Sequence, residues 1–314
     1  MTANYRLSAL AALISITLLT TCGVALAQTN SQASKNQLLQ VGPQRALKTI
    51  AAAAKAAADG AIINVDAGDY RGDVAVWLQD DIVIRAVGGR VRLIASGMAA
   101  EGKAIWVVRG GRMQVQGFDF SGARVADKNG AGIRLEKGHL TVQDCSFTDN
   151  QNGILTGNNA HTELDIINSE FARNGHGDGQ SHNLYVGGIA RLSVMGSHLH
   201  HAKVGHLLKS RAAMSHIINS RLVDGDDGTA SYELEFPNGG IAYVVGNVIG
   251  QSKRTQNAHL ISFGAEGYKW PRNELYLANN RLINPLPHGV FLKVAPGADV
   301  VQTFDNVLVG RGKL

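Results

Sequence analysis

Seven of the eleven histidines of this 314-residue chain fall between positions 176 and 216: His176, His182, His198, His200, His201, His206 and His216. Histidine is the side chain that titrates near neutral pH, so this concentration points to proton transfer. Three neighbouring segments share an offset of 24 residues: Ser181-His-Asn-Leu-Tyr185-Val-Gly187, Gly205-His-Leu-Leu-Lys209-Ser-Arg211 and Thr229-Ala-Ser-Tyr-Glu233-Leu-Glu235. If 24 residues make one coil, His182 stacks on His206 and Tyr185, Lys209 and Glu233 form a second column. Arg211 then lies over Glu235, and strand alternation turns both glutamates outward where Leu234 and Phe236 point inward. Such columns offer cations for an anionic substrate and His or Tyr for acid–base work. A solvated salt-bridge ladder without chemistry has the same pattern, and both readings stand at this level. Asp224, Asp226 and Asp227, with Glu233 and Glu235, are oxygen donors that calcium could use, although their spacing is not that of an EF-hand. No residue is assigned to a metal and no cofactor is required; calcium is the one ion these carboxylates suggest.

What positions these residues is a repeat. An aliphatic residue, two residues, a small or polar turn residue, one residue and an apolar residue recur down the chain. Val142-Gln-Asp-Cys145-Ser-Phe147, Ile166-Ile-Asn-Ser169-Glu-Phe171, Val194-Met-Gly-Ser197-His-Leu199 and Ile217-Ile-Asn-Ser220-Arg-Leu222 carry it. Val244-Val-Gly-Asn247-Val-Ile249 and Leu277-Ala-Asn-Asn280-Arg-Leu282 continue it, with a first copy ending at Phe120 and a weak last one around Asn306 and Leu308. The closing apolar residues lie 23 to 33 positions apart, so one unit carries loops of varying length. Apolar spacing of two, broken by Gly, Asn or Asp, reads as short strands and tight turns, and units this thin must stack to bury a face. The expectation is an all-β, right-handed parallel β-helix of three-strand coils, about eight or nine of them, with a possible asparagine ladder at Asn247, Asn280 and Asn306. Cys145 occupies the same turn row, as a small structural residue. Pro43 followed by Ala46, Leu47, Ile50 and Ala54 predicts an N-terminal amphipathic helix that covers the first coil.

Composition agrees. With 37 glycines, 6 prolines and 18% charged residues, the chain is neither collagen-like nor disordered. Residues 7–19 form an apolar run after Arg6, and Ala25-Leu-Ala27 supplies small residues for signal-peptidase cleavage before Gln28. The run is shorter than the about 20 residues of a membrane span. Leu19-Thr-Thr-Cys22 loosely resembles a lipoprotein box, but Thr21 stands where a smaller residue is preferred. The expected layout is a signal peptide, 1–27, and one domain, 28–314, whose cap region is 28–60; it is exported to the periplasm or beyond. Losing Arg6 leaves 29 Lys and Arg against 25 Asp and Glu, a net charge of +4. That excess tolerates an anionic partner, and no nucleic-acid motif, transmembrane span or second subunit is expected.

The order of a helix, a strand with Asp66-Ala-Gly-Asp-Tyr70 and then repeated coils resembles the pectin lyase-like superfamily of exported β-helix proteins. The resemblance covers nearly all of the mature chain. It implies a substrate groove on the outer face of the sheet that carries Tyr185, Lys209 and Arg211, walled by loops 174–180 and 268–272. It further implies an acidic, uronate-containing polysaccharide, with β-elimination as the cleavage chemistry. His182, Tyr185, His206, Lys209 and Arg211 are then the catalytic candidates. Glu233, Glu235, Tyr268, Trp270 and Arg272 are the substrate-binding candidates, with rings for sugars and Lys269 or Arg272 for a uronate. A carboxylate beside Lys209 would keep it charged, which moves proton transfer to His182, His206 or Tyr185. The same fold also carries non-catalytic glycan-binding and cell-surface proteins, and these form the alternative.

Overall fold

The computed structural model describes residues 37–255 and 257–313. The expected signal peptide, 1–27, and the first residues of the cap region lie outside them. The described residues form one compact unit. Its strands pair in parallel with the strand one coil away, giving a right-handed parallel β-helix of about ten turns. The motif count of eight or nine falls short because the earliest coils do not use the motif. Strands Ile62–Arg71 and Ile82–Ile94 instead run round a corner, with a register shift between Asp66 and Gly68.

One face is a separate nine-stranded sheet running from Ala75–Trp77 to Val290–Val294. Alternation sorts its residues. Ile133, Ile154, Leu184, Leu208, Leu234 and Ile261 stack inward and are fully buried. Arg134, Leu155, Tyr185, Lys209, Glu235, Ser262 and Lys293 form the neighbouring outward row. On another face Phe120, Phe147 and Phe171 close successive repeats, their rings stacked 4.9 and 4.7 Å apart. Each such ring stabilises the core by roughly 1.5–3 kcal/mol relative to exposure.

The turn row of the repeat is one continuous ladder. The backbone N–H of Cys145 donates to Ser169 Oγ, that of Ser169 to Ser197 Oγ and that of Ser197 to Ser220 Oγ, at 3.2, 3.1 and 3.2 Å. Ser220 then donates to Asn247 Oδ1, Asn247 to Asn280 Oδ1 and Asn280 to Asn306 Oδ1, at 2.8, 2.9 and 3.0 Å. The expected asparagine ladder is therefore the last part of a longer series that starts at Cys145, whose thiol burial pushes up to about 12.

The amino-terminal helix is Ile50–Ala56, shorter than the pattern from Pro43 predicts. Thr49 caps it by accepting from Ala52 N–H, and the Asp73 carboxylate accepts from Ile50 and Ala51 N–H. Residues 42–46 are held in a turn instead, with Arg45 paired to Asp66. Ile50, Ala53 and Ala54 join the core cluster.

Candidate functional site

Register on the nine-stranded sheet decides which candidates meet. Tyr185 and Lys209 are partners at the expected offset of 24, but the next coil is two residues longer and sets Glu235, not Glu233, beside Lys209. Tyr185, Lys209 and Glu235 thus form the outward column. The histidines form the column next to it, with the rings of His182 and His206 4.5 Å apart and His206 in edge contact with Tyr232 at 5.0 Å.

Glu235 is the anchor. Lys209 Nζ and His206 Nδ1 approach its Oε2 at 3.0 and 3.1 Å, all three groups being nearly covered. Burial works against the Glu235 carboxylate, but His206 and Lys209 outweigh it and hold the group below its ordinary range. Burial likewise works against the Lys209 ammonium, while Glu235 and Glu266 outweigh it and raise the group. Lys209 is therefore a fixed cation rather than a base. His206 is lowered by burial, only partly offset by Glu235, and His182 is pushed well down by burial first and then by the nearby His206, Lys209 and Arg211. His182 accepts the His206 backbone N–H at Nδ1, 2.9 Å away, so its ring hydrogen sits on Nε2.

Arg211 does not lie over Glu235. Its guanidinium donates to Asn238 Oδ1 at 2.5 Å and pairs with Glu266, Nη1 to Oε2 at 2.7 Å and Nη2 to Oε1 at 3.0 Å. Nε donates to Tyr185 Oη at 3.4 Å. Glu266 also takes Lys209 Nζ at 2.9 Å, and this double cationic contact, the Arg211 hydrogen bonds first, pulls it down to about 2. Trp270 Nε1 donates to the Arg211 backbone carbonyl at 3.1 Å, tying loop 268–272 to the sheet.

These groups open on one cleft of about 470 Å³ lined by Tyr185, Arg211, Asn238, Glu266, Lys269 and Trp270, with Asn158 and Gly188 at its edge. Among these lining residues Tyr185 carries the single hydroxyl and Trp270 the largest apolar face. Lys269 has no carboxylate partner among the described residues, so its charge is open to a ligand.

Four expected contributors stand elsewhere. Glu233 is turned into the interior, fully buried, with neither carboxylate oxygen partnered among the described residues, because the chain bends at Glu233 and the alternation of strand Leu234–Phe236 does not extend back to it. Tyr268 donates to Ala295 O at 2.7 Å and packs on Phe263, anchoring its loop from below. Arg272 pairs with Glu274 at 2.7 Å on the open surface, and loop 174–180 is absent from the cleft lining. Four of the five carboxylates considered for calcium are interior or already paired. Asp224 and Glu233 are interior, Asp227 pairs with His201 at 3.0 Å, and Glu235 is taken by Lys209 and His206.

Sequence periodicity misses Glu266 and Asn238, which complete the network. Glu266 lies in a loop that returns across two coils, beyond the reach of any single-coil offset. The available signal was its position between Gly264 and Gly267, immediately before the Trp270 segment.

No family model matches the chain, and no curated protein matches it. Among solved structures it is similar to pectate lyase Pel9A, with a TM-score of 0.56 and 12% identity over 87% of this chain and 78% of that one. It is also similar to the ORF18 protein of Geobacillus virus E2, with a TM-score of 0.52 and 13% identity over 80% of this chain. The chain spans 53% of the length of that viral protein. These likenesses are of fold. Among the described residues no helix is long and apolar enough to cross a membrane.

Proposed function

We propose that the cleft at Tyr185, Arg211, Lys269 and Trp270 binds an acidic, uronate-containing polysaccharide and cleaves it by β-elimination. The observation that carries this is the convergence of an indole face, an unpaired ammonium, a clamped guanidinium and a phenol on one open cleft. A sugar ring stacks on Trp270, and its carboxylate meets Lys269 and the Arg211 side of the cleft, where charge neutralisation acidifies the adjacent C–H. Tyr185 Oη, next to Arg211 Nε, is the group placed to move a proton. In the elimination the C5–H bond gives up its proton, its electron pair becomes the C4–C5 double bond, and the C4–O bond breaks with its pair on the leaving oxygen, which takes a proton. The fold is shared with a lyase whose name specifies pectate, which agrees with this reading.

A second reading, glycan binding without cleavage, is favoured by one observation: Lys209, Glu235 and Glu266 are all neutralised by one another and not free to act. One assay separates the two. The mature protein is incubated with alginate, pectate or glycosaminoglycan, with and without chelator, while the absorbance of the unsaturated product and binding are both followed. Elimination predicts an absorbance gain lost in Tyr185→Phe; binding with no gain leaves the non-catalytic reading. Absence of binding to every anionic polymer would sink both. Export is part of the same proposal, and an N-terminus at Gln28 in the protein recovered from outside the cytoplasm is its check.

A further inference from the structure

On a different face of the coil, Glu170 and His198 are register partners on strands Glu170–Ala172 and His198–His200. His198 and His200 lie two residues apart on one strand and so project from the same side, their rings stacked 4.3 Å apart. One ligand atom from each of Glu170, His198 and His200 falls within 4.8 Å of the others. A tetrahedral zinc ion with bonds of about 2.0–2.2 Å needs ligand separations of about 3.3 Å, so the three donors close on an ion by small side-chain movements. His200 Nε2 is 2.9 Å from Glu170 Oε1.

A built outer layer stands behind His200. Its Nδ1 is 2.5 Å from His201 Nδ1, and His201 Nε2 is 3.0 Å from Asp227 Oδ1. His201 sits in the left-handed region at φ 51°, and Gly225 leaves it room, because a Cβ at 225 would come 2.6 Å from His201 Nε2. The run Glu170, His200, His201, Asp227 has a carboxylate at each end and three short polar contacts. Three contacts take three hydrogens, or two hydrogens and a cation. A cation in place of the hydrogen between Glu170 and His200 satisfies all of them: His200 Nδ1–H donates to His201 Nδ1, and His201 Nε2–H donates to Asp227. A ligating imidazole oriented through its second nitrogen in this way is what holds metal sites in shape.

We propose that Glu170, His198 and His200 bind a zinc-class divalent ion, with His201 and Asp227 as the residues that position His200. Two imidazoles and a carboxylate suit that class rather than calcium or magnesium. Three protein ligands leave a coordination position open, and Glu170 and His198 face a cleft of about 760 Å³ that Arg90, Asp119 and Ser146 also line. An anionic or water ligand on the ion therefore has space and a guanidinium within the same cleft.

The test is titration of the chelator-stripped full-length protein with Zn²⁺ against a chromophoric competitor, paralleled by the visible spectrum of the Co²⁺ form. One equivalent per chain is expected, with Co²⁺ bands of imidazole and carboxylate ligation. Glu170→Gln is an exposed, nearly isosteric change and should weaken binding at least ten-fold with an unchanged apo melting temperature. His198→Ala and His200→Ala should abolish the stoichiometric site, and His201→Ala should weaken it about 10–100-fold. Less than one equivalent in the native protein, or native affinity in Glu170→Gln or His200→Ala, overturns the assignment.

Discussion

Lys209 is the register partner of Glu235 in the next coil, and its Nζ stands 3.0 Å from Glu235 Oε2. With side chains only 12% and 5% exposed, neither charge can rely on water. Glu235→Gln removes one of the two carboxylates on Lys209 and the partner of His206 Nδ1, and is expected to cost about 3 kcal/mol in urea unfolding. The native carboxylate is held below its ordinary value, so the native state binds fewer protons than the unfolded one in mildly acid solution. The stabilisation is present above the unfolded carboxylate pKa and is lost as pH falls through the lower folded value. Unfolding curves with the same acid limb in the native protein and in Glu235→Gln would contradict this.

Asp224 and Glu233 predict the opposite slope. Burial raises Asp224 to about 6, and burial with the nearby Asp224 charge pushes Glu233 well up. Both groups are favourable while protonated, and that contribution is lost as pH rises through their folded values. For Asp224 the window runs from about 4 to about 6, a change of roughly 3 kcal/mol. Asp224→Asn and Glu233→Gln should each flatten this decline and raise the melting temperature at pH 8. A lower melting temperature in both would show that the ionised groups are stabilising.

Arg211 and Trp270 are expected to dominate glycan binding. Arg211→Lys keeps the charge but loses the forked contacts to Glu266 and Asn238, and Trp270→Ala removes both the stacking face and the tie to the Arg211 carbonyl. Each should weaken binding of an acidic oligosaccharide about ten-fold or more by calorimetry, roughly 1.4 kcal/mol. Arg272→Ala, outside the cleft, should leave affinity unchanged.

Cys145 should be inert. It is 2% exposed and its thiol is pushed up to about 12 by burial. Iodoacetamide should add no mass to the native protein at pH 8 and one adduct at this residue in denaturant. Cys145→Ser keeps a small polar residue in the turn row and should shift the unfolding midpoint little. Rapid native alkylation would place the turn in an open state.

The coil and its turn row were legible because stacking repeats the same demand at each level: Ser169, Ser197 and Asn247 all answer a backbone N–H of the coil before. The stacking of His182 on His206 and of Tyr185 on Lys209 was legible for the same reason. Glu233 was misplaced because alternation assumes a straight strand, and the chain turns a corner there. By residue type Tyr268 is a sugar platform, whereas a tyrosine in a long loop can serve equally as the plug that fastens the loop. Arg211 found Glu266 rather than Glu235 because loops obey no period, and an ion pair across two coils leaves no spacing in the sequence.

The turn ladder also has a direction. At every rung from Cys145 to Asn280 the donor belongs to the earlier coil and the acceptor to the later one. The corner N–H of a coil is thus satisfied by its successor, and serine and asparagine both supply the acceptor, although the serine hydroxyl donates within its own coil and the asparagine amide to a carbonyl of the coil before. Removing or adding one whole coil joins two ends that still fit, while changing a single rung to a side chain without an acceptor interrupts the line. In such a molecule length is the tolerant variable and the corner residue the intolerant one.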